Sequence, residues 1–328
     1  MKGNSGKIFI TKKALFKIIF SISLFSYILF KAQITAIGQV IGAANLKYYI
    51  VAVLLYIAAQ PLRAMRWNML LHAKGVVVSP VKLLFLCFVG SFFSSILPTI
   101  VGGDLVRGYY VFRETNAHDV SFASIIVDRL CGLLVVILFG LAATGYFLAV
   151  SGWSSLTIAS LVVCGITSLF ILLACNYSLM ARLARLFETV RRWGIVQRLK
   201  EIYHATLQYR SDWPVLARCL VLSVTYEFII IYLHYLLAQS LGWRIPFTVF
   251  ILAVPLITIV SMLPVSVGGL GVREGATVMF FSPYAISAAN AVSISLLSYS
   301  IALVAGAVGG IAYVFMPLRA GATDKTRG

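Results

Sequence analysis

Acidic residues are scarce in this chain, and charged residues of either sign are fewer than a soluble protein carries. Asp and Glu together number 10 among 328 residues, and charged residues make up 11% of the sequence. Soluble domains carry about 25%. Hydrophobic residues make up 61%. This composition excludes a soluble globular protein. It predicts an all-α polytopic membrane protein, with residues 1–328 forming a single integral membrane domain.

Cysteine clusters and the common catalytic motifs are also absent from the sequence. The five cysteines stand singly in apolar segments, without a C-x-x-C pair or a Cys/His cluster. This spacing argues against a disulfide framework and against a metal site. No H-E-x-x-H, G-x-S-x-G or phosphate-loop motif is present. The sequence gives little support to catalysis, and we expect neither a metal nor another cofactor.

Basic residues are the more abundant charges, and the formal net charge is +17. They gather in loops between apolar runs, which is the distribution that the positive-inside rule produces. We therefore interpret this charge as a topological signal, and we do not expect a nucleic acid partner.

One motif occurs twice in this apolar sequence. Residues 97–107 and 263–273 both read L-P-x-x-x-G-G-x-x-x-R, and each copy closes a long apolar run. A serine also stands two residues before each leucine. We interpret the two copies as an internal repeat, a feature of many transporter folds.

Each copy predicts a break in a helix. Pro98 and Pro264 disfavour helical geometry in the residue before them, so the apolar helix should end there. The glycine pairs Gly102–Gly103 and Gly268–Gly269 then permit backbone angles that other residues resist.

A new helix with a cationic start is expected after each break. Asp104 is a candidate N-cap for the first of these helices. Arg107 and Arg273 add a guanidinium to the exposed N–H groups and the positive dipole of a helix start, which suits an anionic headgroup. The alternative is a kinked helix whose arginine extends to the membrane interface.

Hydrophobic runs and basic loops predict about six spanning helices. Basic residues at both ends of the chain place the N- and C-termini in the cytoplasm. The linker 176–213 carries seven basic residues with aliphatic residues between them, so we expect a cytoplasmic amphipathic segment. The predicted spans are residues 15–30, 48–71, 130–150, 154–175, 215–240 and 285–316.

Two further segments are expected to enter the membrane and return on the same side. Residues 83–97 reach only about 22 Å, against a hydrocarbon core of about 30 Å. A cytoplasmic linker requires the hairpin 83–115 to return to the cytoplasm. By the same reasoning, the hairpin 246–282 must return to the outside. The alternatives are that 247–263 crosses fully and that the last span contains a break.

These hairpins predict a symmetric architecture. The two halves, 48–175 and 215–316, would form an inverted repeat with oppositely oriented re-entrant hairpins, as in alternating-access carriers.

An arginine pair and a tryptophan mark the second half of the span 48–71. Arg63, Arg66 and Trp67 are typical of a helix end at the cytoplasmic interface. The alternative is that they contribute to a cavity.

Several acidic residues lie in or against apolar segments. Charges inside a membrane are costly and usually face an opposite charge or a wet cavity. Asp128 and Arg129 are expected to open the span 130–150. The acidic residues in question are Asp104, Asp128, Glu227 and Glu274.

Glu227 lies in the middle of the span 215–240. One interpretation is a structural ion pair with an arginine of a hairpin. The other is a cavity-lining carboxylate, with proton coupling as a possible use. His234 lies two turns along the same face, and we expect a polar packing residue, with a proton relay as the alternative.

These motifs together resemble a known family. Residues 97–107, Asp128-Arg129 and residues 264–275 are similar to the flippase-type membrane region of lysylphosphatidylglycerol synthases. Stand-alone relatives of that region are labelled flippase-like or UPF0104 membrane proteins. The resemblance covers nearly the whole chain. It implies an integral membrane domain that moves a phospholipid or a lipid-linked headgroup between leaflets.

The same resemblance limits what can be expected. Full-length synthases also carry a soluble catalytic domain that uses aminoacyl-tRNA. The 328 residues contain no such domain, so we do not expect synthase activity from them. Similar segments accompany some archaeal dolichol-phosphate glycosyltransferases, which leaves a polyprenyl-phosphate substrate open.

The leading hypothesis is a lipid flippase of the prokaryotic cytoplasmic membrane. Its partners would be lipids with an anionic headgroup or a polyprenyl phosphate. Arg107 and Arg273 would hold the phosphate from opposite hairpins, while Asp104, Glu227 and Glu274 would balance them or contact a cationic headgroup. The glycine pairs and Asp128-Arg129 complete the predicted site.

Two other functions stay open at this point. One is a lipid-linked glycosyl or headgroup transferase, with Asp104 or Glu274 as its catalytic carboxylate. The other is a non-transporting partner of a lipid-modifying enzyme.

Overall fold

Long α-helices build the part of the chain that the structure, a computed structural model, describes. The described residues are 34–96, 102–175, 203–262, 266 and 268–315, together with 23, 26 and 27. None of them lies in a β-strand. In chain order the helices are α1 (Ile34–Gly42), α2 (Leu46–Ala73), α3 (Pro80–Ile96), α4 (Gly102–Thr115), α5 (His118–Ser151), α6 (Ser155–Cys175), α7 (Trp213–Ser240), α8 (Phe247–Met262), α9 (Val272–Phe281) and α10 (Ala288–Phe315).

Four of the described helices are long and apolar enough to cross a membrane, namely α2, α5, α7 and α10. Shorter apolar helices lie in α3, α6 and α8. The predicted spans 48–71 and 215–240 correspond to α2 and α7, and α10 runs through most of 285–316 without a break. The predicted span 15–30 and most of the linker 176–213 lie outside the described residues.

Helix α5 corrects the expected start of the span 130–150. It begins at His118, so Asp128 and Arg129 lie inside the helix and do not open it. The charges do not end the helix because both side chains have partners of opposite charge. Asp128 pairs with two arginines, and Arg129 pairs with Asp104.

Two sets of four consecutive helices, separated by α6, have similar lengths at corresponding positions. Helices α2 to α5 have 28, 17, 14 and 34 residues, and α7 to α10 have 28, 16, 10 and 28. Helices α2 and α7 pack antiparallel. The Asn45 N–H donates to the Ser240 carbonyl at 2.7 Å, and Lys74 lies 2.5 Å from Asp212. The division into two halves and the opposite orientation of the hairpins stay predictions.

The short helices pack across the two sets. Helix α3 lies along α10, where a Cβ on Gly309 would collide with the Phe88 carbonyl. Helix α8 lies against α5, where Gly140 faces Leu256 and Ile259. Each short helix therefore packs on a long helix of the other set, which interlocks the two halves.

The two glycine pairs are needed for different reasons. Gly102 and Gly103 are already helical, and Gly103 lies so close to α3 that a Cβ would collide with the Gly90 carbonyl. In the second copy, Gly268 and Gly269 have φ angles of 60° and 78°, which favour glycine. The predicted unusual angles are therefore right for the second pair and wrong for the first. Pro98 and Pro264 lie outside the described residues.

A buried ion-pair chain joins α2, α4 and α5. We use this name for Arg66, Asp128, Arg107, Asp104 and Arg129. Asp128 accepts from Arg66 Nε at 2.5 Å and from Arg107 Nη2 at 2.9 Å. Asp104 lies 2.9 Å from Arg107 Nε and also binds Arg129. Asp104 is therefore a bridge between helices within the first turn of α4, and not the predicted N-cap.

Further contacts fix two arginines of the ion-pair chain. Arg66 Nη1 donates to Ser223 Oγ on α7 at 2.7 Å. The Arg107 guanidinium lies over the Trp67 ring at 4.8 Å, and Trp67 Nε1 donates to Ser124 Oγ at 3.0 Å. Arg66 and Trp67 are buried, so the prediction that they anchor a helix end at the interface is wrong.

Removing Asp128 should destabilise the bundle. Asp128→Ala removes the one carboxylate that pairs with Arg66 in the described structure and one of the two that pair with Arg107, at a cost of about 3–5 kcal/mol. We expect the midpoint of thermal unfolding in detergent to fall by about 6 °C or more. The matched control is Asp119→Ala on the same helix, whose side chain is 45% exposed and pairs with His118. Equal midpoints for the two variants would contradict the structural role of the ion-pair chain.

Adding a methyl group at Gly309 should separate α3 from α10. Gly309→Ala forces a shift against the backbone at Phe88, and such overpacking costs about 1–3 kcal/mol. Gly145→Ala is the control, because no atom lies within 4 Å of its Cβ position on α5. Thermal unfolding of both proteins measures the difference. We expect Gly309→Ala to unfold earlier and Gly145→Ala to unfold no earlier than wild type.

Candidate functional site

A polar cavity lies among α2, α3, α5, α7, α8 and α10, near the middle of the long helices. It has two adjoining lobes of about 370 Å³ each. Glu227 on its wall stands at the midpoint of α7, and Arg63 lies within one turn of the midpoint of α2. The cavity is therefore at mid-depth of the spanning helices, where polar groups are costly and usually functional.

The two lobes differ in the side chains that line them. The arginine lobe is bordered by Arg63, Arg66, Arg107, Arg129 and Arg273, with Asp128 and Glu227. The serine lobe is bordered by Ser91, Ser94, Ser95, Ser261 and Ser298, with Thr258. The residues that border both lobes include Arg63, Arg129, Arg273, Thr258 and Ser298.

Both predicted hairpins reach this cavity. The second half of α3 supplies Ser91 and Ser95, and the second half of α8 supplies Thr258 and Ser261. Parts of both copies of the repeated motif also border it, including Asp104, Arg107, Gly268 and Arg273. The predicted site residues Gly102, Gly103, Gly269 and Glu274 lie behind this wall. They fix its geometry and do not border the space.

Arg107 is built into the wall of the arginine lobe. Its side chain is 1% exposed. Its guanidinium is held by Asp104 and Asp128 and lies over Trp67. The carboxylates face its Nε and Nη2, while its Nη1 lies 4.0 Å from Cys87 Sγ. The two ion pairs give Arg107 a structural role, and its predicted grip on a phosphate stays a prediction.

Arg273 is held on one side and free on the other. Its Nη2 and Nε donate to Glu274 Oε1 at 2.6 and 3.1 Å, and Nε also contacts Ser295 Oγ at 2.9 Å. The guanidinium lies over the Tyr299 ring at 4.8 Å. Its Nη1 has no hydrogen-bond partner in the described part of the chain, so it can donate to a ligand.

Glu274 positions Arg273 and caps the start of α9. Its Oε2 accepts from the Gly271 N–H at 2.7 Å, and its Oε1 accepts from Ser295 Oγ at 2.9 Å. The carboxylate is fully buried. The Glu274 side chain thus occupies the start of α9. Of the predicted anion site there, Arg273 Nη1 remains available to a ligand.

Arg63 borders the cavity in the structure, whereas the sequence placed it at the membrane interface. Its Nη1 donates to Gln60 Oε1 at 3.1 Å. No described carboxylate lies within ion-pairing distance of it. The alternative interpretation, a contribution to a cavity, is therefore the right one. A signal existed, because Gln60, Arg63 and Trp67 recur at helical spacing and predict one polar face on an apolar helix.

Glu227 faces the arginine lobe without a partner. The side chain is buried, and its Oε1 receives no hydrogen bond. Among the described residues no arginine pairs with it, which contradicts the structural ion pair and leaves the cavity-lining interpretation. A buried carboxylate of this kind requires a proton or a donor from outside the protein.

His234 borders both lobes but is bonded elsewhere. Its Nδ1 donates to the Ile230 carbonyl at 2.8 Å, and its Nε2 lies 3.1 Å from Ser298 Oγ. No hydrogen bond joins it to Glu227 in the described structure. These contacts agree with the expected polar packing residue.

The cavity thus offers a defined set of unused groups. Asp104, Asp128 and Glu274 already bind arginines, whereas Arg63 and one edge of Arg273 carry N–H donors without a carboxylate. Guanidinium donors of this kind bind phosphate strongly and with fixed geometry. The arrangement can hold an anionic group at mid-depth of the long helices.

Relatives of this chain are membrane proteins of similar length. It is 24% identical to a UPF0104 membrane protein of Methanocaldococcus jannaschii, over 98% of this chain and 99% of the relative. It is 27% identical to a UPF0104 membrane protein of Pyrococcus horikoshii, over 85% and 90%. A third, from Methanothermobacter thermautotrophicus, is 26% identical over 76% and 80%. No solved structure matches the chain significantly.

A family model covers most of the sequence and agrees with the resemblance of the motifs. The model for the lysylphosphatidylglycerol synthase TM region matches residues 14–310. This multi-pass membrane protein therefore belongs to the lysylphosphatidylglycerol synthase TM region family.

Proposed function

We propose that this protein moves a phosphate-bearing lipid between membrane leaflets, either a phospholipid or a polyprenyl-phosphate-linked lipid. One observation carries the proposal. Arg63 and Arg273 face the same mid-membrane cavity with N–H donors that no described carboxylate occupies. A phosphate that enters from either leaflet would meet these donors halfway across.

The cavity lowers the main barrier to lipid exchange. A charged headgroup that leaves water for hydrocarbon loses its hydration, at a cost of many kcal/mol. Arginine donors and serine oxygens on the cavity wall replace those lost hydrogen bonds. The acyl chains can stay in lipid, because the outer faces of the long helices are apolar and exposed, as at Leu54, Leu138 and Val221.

The family and the helix order support a carrier. The chain belongs to a lipid-related membrane family. The ends of α3 and α8, one from each half, meet at the serine lobe. If the halves are inverted, small opposite movements of the two hairpins would open the cavity to alternate leaflets. We place the protein in the cytoplasmic membrane with both termini inside, because the basic linker and both ends favour that side.

The acidic residues divide by role in this proposal. Asp104 and Glu274 balance arginines through direct ion pairs. Glu227 remains as an unused acceptor in the arginine lobe, where it can take a hydrogen-bond donor from the headgroup.

The structure gives less support to a transferase. Its candidate catalytic carboxylates were Asp104 and Glu274, and each is held by arginine. Neither of these two carboxylates is therefore free to act as a general base or nucleophile. No contact in the described structure favours the third alternative, a non-transporting partner of a lipid-modifying enzyme.

Loss of either free guanidinium should slow lipid exchange. Arg63→Ala and Arg273→Ala each remove a charge-assisted hydrogen bond worth about 1.5–3 kcal/mol, so we expect about a 10- to 100-fold decrease. The measurement is leaflet exchange of labelled phospholipids and a polyprenyl phosphate in proteoliposomes. Arg113→Ala is the matched control, because Arg113 is exposed on α4 away from both lobes. Wild-type exchange in both cavity variants would refute the proposal.

Arg107→Ala should behave differently from Arg63→Ala, which orphans no buried carboxylate. It leaves Asp104 and Asp128 each with one arginine fewer in a buried site, at a cost of about 3 kcal/mol or more. Its thermal unfolding midpoint should fall well below that of Arg63→Ala, which should stay close to wild type. If the Arg107→Ala protein is as stable as wild type but no longer exchanges lipid, the result supports the original prediction that Arg107 binds the phosphate.

A further inference from the structure

Four hydroxyl groups that border the serine lobe have their protons committed to their own helices. Each donates to a main-chain carbonyl three or four residues earlier, at distances from 2.6 to 3.1 Å. The pairs are Ser91 with Cys87, Ser95 with Phe92, Thr258 with Val254 and Ser261 with Ile257. A hydroxyl whose proton is used in this way keeps its lone pairs, so it faces the cavity as an acceptor.

Ser298 also faces the lobe as an acceptor, because it donates its proton to a histidine and not to its own helix. A carbonyl can only accept, so the bond from His234 to the Ile230 carbonyl places a proton on Nδ1. In the neutral ring Nε2 is then an acceptor, and Ser298 Oγ donates its proton to it. Five hydroxyl oxygens from three helices, α3, α8 and α10, therefore surround the lobe as acceptors.

These acceptors are electrically neutral. Asp104 is the acidic residue among the described ones that border the serine lobe, and Arg107 and Arg129 occupy its carboxylate. Glu227 lies on the wall of the arginine lobe and does not border this one. Neutral acceptors without a free carboxylate suit hydroxyl donors better than an ammonium group, which requires a negative charge when it loses water.

We propose that the serine lobe is a subsite for a polyol headgroup, such as a glycerol, an inositol or a sugar ring joined to the phosphate. The phosphate would lie between Arg63 and Arg273, which border both lobes. The lobe volume of about 370 Å³ is within the range of about 300–1,000 Å³ that small-molecule sites occupy. This proposal rests on the proposed function, and it names the chemical class of the headgroup.

The test compares headgroups that differ in their donors. Proteoliposomes would carry acyl-labelled phosphatidylglycerol, phosphatidylinositol, phosphatidylethanolamine or phosphatidylmethanol. The last has the phosphodiester but no donor. We expect wild-type protein to exchange the two polyol lipids at least about tenfold faster than phosphatidylmethanol, since each lost hydrogen bond lowers the rate several-fold.

A set of serine variants tests whether the lobe causes that preference. In Ser91→Ala/Ser95→Ala/Ser261→Ala the polyol advantage, taken as the ratio to the phosphatidylmethanol rate of the same variant, should fall to about threefold or less. Ser261→Ala alone should give a partial loss, and it serves if the triple variant is unstable. Ser293→Ala is the matched control, because its hydroxyl makes the same kind of bond, 2.7 Å to the Ala289 carbonyl, away from both lobes.

Three results would overturn the subsite. They are equal exchange of polyol lipids and phosphatidylmethanol, a preference for phosphatidylethanolamine over both polyol lipids, and a polyol preference that survives in the triple variant. A separate binding measurement on detergent-solubilised protein compares glycerol phosphate with methyl phosphate. If no lipid exchanges, the proposed transport fails. The subsite is still decided, because it requires tighter binding of glycerol phosphate that the triple variant loses.

Discussion

The buried ion-pair chain constrains the whole bundle. Asp104 and Asp128 have side chains that are 5% and 3% exposed, and each is bound by two arginines. An uncompensated charge in such surroundings would cost several kcal/mol, so the helices that carry the charges must meet where the charges meet. Helices α2, α4 and α5 are thereby fixed to one another, and Arg66 extends the contact to Ser223 on α7. The cavity exists because this cluster holds its wall together from one side.

The ion pairs also distinguish arginines that are bound by carboxylates from arginines that have N–H groups left for a ligand. Arg66 and Arg107 are bound by carboxylates, whereas Arg63 on the same face of α2 has only the neutral amide of Gln60 as a partner. Arg273 is intermediate, since Glu274 holds one edge and leaves the other open. A single ligand that carries one or two negative charges would complete this arrangement. The unused groups are therefore concentrated at one place, and that place is at mid-depth of the spanning helices.

Local sequence patterns predicted which segments border the cavity. Long-range contacts decide which arginines there keep unpaired N–H groups. The repeated motif correctly indicated two chain segments that approach one cavity, because proline, glycine and arginine at fixed spacing act through nearby backbone. The choice between Arg107 and Arg63 could not be made in this way. It depends on Asp128, which is 62 positions from Arg66 and 21 from Arg107. The same limit explains α5, whose helix continues past Asp128 and Arg129 because partners from other helices neutralise them. It also explains the glycine pairs. The first pair is needed because Gly103 packs closely against α3, and the second because Gly268 and Gly269 have left-handed backbone angles.

The chemistry of the wall suits a protein that must release what it binds. A site built from unpaired carboxylates and arginines would be costly when empty and would hold a ligand tightly when filled. Here most polar groups are satisfied within the protein. Serine and threonine hydroxyls bond to their own helices, and Arg273 shares its charge with Glu274. What remains for a ligand is a set of neutral acceptors, the carboxyl group of Glu227 and a few guanidinium N–H groups. Passage through a membrane requires binding that is strong enough to replace water and weak enough to allow departure. Partially satisfied groups meet both conditions.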